Sequence, residues 1–117
     1  MLKINAAQME ALRQVQLRRF APRLDVWLKQ SSPGWAEREP QERIDILEEM
    51  LRVADRSGLA VETDYALFAL IALNSGPNWR SFIGRSEVKE LLGGAFDPQV
   101  KVMRLYELAF NAPAAAA

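Results

Sequence analysis

The sequence predicts an all-α protein, a compact bundle of about five helices arranged around one central apolar helix at residues 63–75. Three observations predict it. The run Tyr-Ala-Leu-Phe-Ala-Leu-Ile-Ala-Leu, residues 65–73, carries no charge, and only Tyr65 has a polar tip. As a helix that run rises only about 14 Å, far short of a bilayer, and a short helix apolar on every side is a core helix covered by its neighbours. Elsewhere the apolar residues recur at steps of three and four, and neither strand alternation nor a βαβ pattern is present.

The first helix is expected from about Asn5 to Gln30. Asn5 is a suitable N-cap, because its side-chain oxygen can accept from an unpaired helix N–H. Met9, Leu12, Leu17, Phe20, Leu24, Trp27 and Leu28 form its apolar stripe. Pro22 falls inside that stripe; it removes one backbone bond and disfavours helical geometry at Ala21, so a kink or break is expected. The segment is basic, with Lys3, Arg13, Arg18, Arg19, Arg23 and Lys29 set against Glu10 and Asp25.

Ser31-Ser32-Pro33-Gly34-Trp35 reads as a turn, with Pro-Gly suited to the central positions of a type II geometry. Pro40 suits the first turn of a second helix, where its missing N–H costs nothing. Glu37, Glu39 and Glu42 sit where the helix dipole favours negative charge. Ile44, Leu47, Leu51 and Ala54 form the stripe, Ile46, Met50 and Val53 widen it, and Gly58 is placed to end the helix. This helix is net acidic, so an antiparallel pairing with the basic first helix is expected, its rims of opposite charge.

Thr63 is expected to cap the central helix, with Asp64 in its first turn. Residues 76–82 read as a loop or a single helical turn. Ser86 is expected to cap a short helix over Glu87 to Leu92, closed by Gly93-Gly94. Asp97-Pro98 is a helix start, followed by Val100, Met103, Leu105, Tyr106 and Phe110 as apolar content. One domain is expected over residues 1–112, with 113–117 as a flexible tail. Ser31–Trp35 and Ser75–Trp79 echo one another, through a duplicated hairpin or through shared turn chemistry.

Composition narrows the function. Among 117 residues, 15 basic side chains balance 15 acidic ones, so no net field draws the chain to nucleic acid or anionic lipid. Cysteine and histidine are both absent, which removes thiolate chemistry, the commonest general base and the usual metal ligand. No cofactor, metal site or catalytic residue is therefore expected. The carboxylate pairs Glu48/Glu49, Asp45/Glu49 and Glu62/Asp64 read as solvated helix faces, since catalytic pairing needs a cleft and burial. Gly93-Gly94 lacks the Lys-Ser/Thr of a phosphate loop. The N-terminus shows no signal-peptide pattern and no span is long enough to cross a membrane, so a cytoplasmic protein without membrane insertion is expected.

What remains as candidate site is aromatic and basic. Trp35, Trp79 and Phe82 fall in predicted loops, where a large apolar side chain must either fold back over a helix end or meet a partner. Arg18, Arg19 and Arg23 could form a charged rim.

Gln16-Leu17-Arg18-Arg19-Phe20 with Trp27-Leu28, then Ser57-Gly58-Leu59, Glu62-Thr63-Asp64 and the Phe68–Leu73 run into Gly76-Pro77-Asn78-Trp79, resembles a group of small helical proteins. These are encoded beside type VI secretion effectors and their adaptor chaperones in Gram-negative bacteria. Ser57-Gly58-Leu59 stands where that pattern has a Tyr-Gly-Ile-like turn, and the histidine often found after the first stripe is missing. The resemblance implies a non-enzymatic accessory protein that binds an effector or its adaptor chaperone and helps load it for export. Trp35, Trp79 and Phe82 would then be apolar anchors, and Arg18, Arg19 and Arg23 the rim. An immunity protein that neutralises a cognate toxin is one alternative, and a regulatory DNA-binding helical domain is another.

Overall fold

A computed structural model describes residues 5–76 and 78–110, and in it the described chain is all-helical. Six helices follow one another: α1 Ala6–Ser31, α2 Pro40–Arg56, α3 Glu62–Leu73, α4 Trp79–Ile83, α5 Ser86–Gly93 and α6 Pro98–Phe110. The expected tail at 113–117 lies outside the described residues. The apolar helix α3 is central as expected: α1, α2, α4 and α6 all pack on it, and Phe68, Ala69 and Ala72 are fully buried.

Asn5 caps α1 in both directions. Its side chain accepts from the Gln8 N–H at 2.8 Å, and its own N–H donates to Gln8 Oε1 at 3.0 Å, a reciprocal capping box. Pro22 does not break the helix, which stays continuous through it. The proline sits on an exposed face, where the bond it cannot donate to the Arg18 carbonyl is lost beside solvent rather than in the core. Among the described side chains of α1, Leu17 is the first that is buried, and the part before it forms an exposed arm. Leu12, expected in the core stripe, is 54% exposed on that arm. Met9 belongs to the same arm, but its side chain lies outside the described set.

The α1–α2 corner turns as its sequence requires. Trp35 N–H donates to the Ser32 carbonyl at 3.2 Å, and Gly34 adopts φ +80°, the third-position geometry of a type II turn. At the far end of α2, Leu59 N–H reaches the Ala54 carbonyl (3.2 Å) and Gly58 N–H the Asp55 carbonyl (3.1 Å). With Gly58 at φ +81° this is a complete Schellman ending, and the buried Leu59 supplies its apolar contact.

Two expected caps are displaced. Val61, not Thr63, precedes α3, its carbonyl accepting from Asp64 and Tyr65; the helix therefore begins at Glu62 with Thr63 inside the first turn. Ser86 is likewise the first residue of α5, preceded by extended Arg85. In neither helix does a side-chain cap replace the one expected.

α6 is turned differently from its apolar pattern. Val102 and Leu105 face inward together with Lys101, whereas Met103 is 66% and Tyr106 51% exposed. The buried ammonium of Lys101 donates to the Ser57 carbonyl at 2.6 Å and the Leu92 carbonyl at 2.8 Å. Those carbonyls lie at the C-terminal ends of α2 and α5, where unpaired C=O groups and the negative ends of both helix dipoles converge. A cation is the side chain that joins two such ends, which explains its inward position.

Candidate functional site

The aromatic trio expected at a partner surface is folded back instead. Trp35 is 1% exposed, and Trp79 and Phe82 are 5% exposed each, so none presents a free apolar face. Trp35 Nε1 donates to Asp25 Oδ1 at 2.8 Å across the α1–α2 corner. Arg43 Nε reaches the same oxygen at 3.0 Å and ties its Nη1 to the Arg38 carbonyl at 2.6 Å. Partial burial pushes the Asp25 carboxyl up, but the bonds from Trp35 and Arg43, with the charges of Arg43 and Lys29, outweigh it and hold the group below its usual value. Trp79 begins α4 with the Arg80 guanidinium 4.7 Å from its ring, and its Nε1 is buried with no hydrogen-bond partner among the described residues. Arg85 covers Phe82 in the same way at 5.7 Å.

The three arginines do not form one rim. Arg23 turns toward α3, pairing with Glu62 and lying 5.4 Å from the Phe20 ring. Arg19 is exposed. Arg18 borders the groove between α1 and α2. Among the described residues the ion pair between these helices runs against their net charges, joining Asp25 of the basic helix to Arg43 of the acidic one.

Three of the five carboxylates weighed for catalysis are held by a neighbour of their own. Glu49 takes a bidentate contact from Arg80 (3.0 and 3.1 Å), Glu62 pairs with Arg23, and Asp45 accepts from Gln41 Nε2 at 3.0 Å. Among the described residues no group of three His, Cys, Asp or Glu side chains is placed to hold a metal ion.

Two grooves remain. One, of about 530 Å3, runs between α1 and α2. Leu17, Leu47 and Leu51 are its buried floor, Ala21, Pro22 and the half-exposed Ile44 its walls, and Gln14, Arg18, Glu48 and Arg52 its polar edge. It opens because Ala21 and Pro22 are small where α1 passes the α2 stripe. The other, of about 700 Å3, lies between α3 and α6, where Leu67, Leu70 and Ile71 face Met103, Tyr106 and Phe110, with Glu107 at the edge. The sequence marked Arg18 as a basic rim residue but not the trough beneath it, because the trough depends on how α2 is rotated against α1.

No protein-family model matches the chain, and neither a curated protein nor a solved structure is detectably similar to it.

Proposed function

We propose that this protein is a non-enzymatic accessory protein whose α1–α2 groove holds a helical segment of a protein partner. The observation that carries the reading is the groove: an apolar floor between two antiparallel helices, left uncovered and edged by charge. Such a trough receives an amphipathic helix through side chains spaced at three and four. From Gln14 to Asp25 it runs roughly 16 Å along α1, room for about three turns. The choice of partner, a type VI secretion effector or its adaptor, rests on the sequence resemblance. Arg18 keeps its place as a rim residue; the tryptophans and Phe82 act on the fold and not on the partner.

Co-expression of the tagged protein with the products of genes adjacent to its own, followed by capture and mass spectrometry, tests this. Recovery of an effector or adaptor is expected, and its loss with Ile44→Glu, a change on a half-exposed side chain that should leave the melting temperature unchanged. A toxin recovered alone, with its activity blocked, would convert the reading to immunity. Equal recovery by Ile44→Glu would move the site elsewhere.

A further inference from the structure

Resting on the α1–α2 groove as the binding site, the charges at its ends define the segment it takes. Asp25 late in α1 bonds Arg43 early in α2, so the two helices run antiparallel. Counting back along α1 to Arg18 and forward along α2 to Arg52 gives rises of about 10 and 13 Å from that bond. Arg18 and Arg52 therefore flank the same end of the groove, on facing helices, and both are exposed.

Neither makes an ion pair among the described residues, whereas Arg23, Arg38, Arg43, Arg80 and Arg85 each do. Arg56, one turn beyond Arg52, is exposed and likewise makes none. Of the residues that line this end of the groove, Glu48, one turn before Arg52, is the acidic one, set against the two guanidiniums of Arg18 and Arg52. Like charges one helical turn apart repel, a cost that an incoming anion relieves. At the opposite end the lining carboxylate, Asp25, is already engaged by Trp35, Arg43 and Lys29.

We propose that the groove takes an amphipathic helix in one orientation, with its apolar face on Leu17, Leu47 and Leu51 and a cluster of carboxylates at the end lying against Arg18 and Arg52. Apolar contacts then supply affinity, and the charges fix direction and reject segments with basic ends.

Two fluorescein-labelled helical peptides of Leu, Ala and Gln test it, identical except that one terminal turn carries three Glu in one and three Lys in the other. Anisotropy titration of the full chain at low salt should show the Glu peptide binding about tenfold more tightly or better, a preference that shrinks as salt is raised. In the double variant Arg18→Glu/Arg52→Glu the preference should invert, with an unchanged melting curve. Equal affinity for both peptides, lost in Ile44→Glu, would overturn the acidic-end assignment and leave the groove reading standing. Failure of both peptides to bind would overturn the two together.

Discussion

The two tryptophans that follow helix-ending turns look alike in sequence and are unlike in chemistry. Ser31-Ser32-Pro33-Gly34-Trp35 and Ser75-Gly76-Pro77-Asn78-Trp79 share a serine, a proline and a terminal tryptophan, and both rings end in the core. Trp35 leads toward a 17-residue helix and anchors its indole N–H on Asp25, tying α1 to α2. Trp79 opens a five-residue helical turn, and its N–H is buried without a partner among the described residues. The echo thus extends to the turn and the buried ring but not to the helix that follows, seventeen residues in one case and five in the other. It also teaches that burial alone does not rank two tryptophans: the difference lies in what the N–H meets.

Substitution should expose that difference in steps. Removing either ring creates a core cavity, so Trp35→Ala and Trp79→Ala should each lower stability by about 3–5 kcal/mol in urea or thermal unfolding. A Trp79→Ala variant that melts like the wild type would show that its ring is not a core element. Phenylalanine separates the two sites more finely. Both Trp→Phe changes lose similar volume, but Trp35→Phe also strips a hydrogen bond from a carboxylate, worth about 1.5–3 kcal/mol. Trp35→Phe should thus be the more costly by roughly that amount, and equal costs would mean the Asp25 bond contributes nothing.

The smallest effect is in acid. Because the Asp25 carboxyl is held below its reference value of 3.8, its contribution is fully present above that pH and is lost as pH falls through the lower folded value. Unfolding free energy should accordingly decline below about pH 4, and the decline should be shallower in Trp35→Phe, where one of the bonds holding the carboxyl down is gone. Parallel curves for the two proteins would break the link between this indole and this carboxylate.

Much of the fold is written locally. Asn5, Pro40, Gly34, Gly58 and Pro98 act through their own backbone or a neighbour three or four residues away, and each does what its type predicts. Thr63 and Ser86 have the chemistry of caps but stand one or two residues inside their helices, because tertiary packing decides where those helices begin. Lys101 is beyond local reading altogether: its carbonyl partners come from residues 44 and 9 positions away. The candidate site follows the same division. Arg18 is legible as an exposed base on a helix, whereas the trough it borders needs α2 placed against Ala21 and Pro22. The aromatic trio is misread for a related reason, since a loop position says nothing of where a ring turns.

The central claim is that partners engage the α1–α2 groove rather than the aromatic corners or the larger apolar groove of α3 and α6. Hydrogen exchange measured by mass spectrometry, on the chain alone and bound to the partner it captures, tests that most directly. Slowed exchange confined to segments 14–25 and 44–52 is the predicted result. Protection at 67–74 and 102–110 instead, with the first pair unchanged, would contradict it and place the partner on the opposite groove.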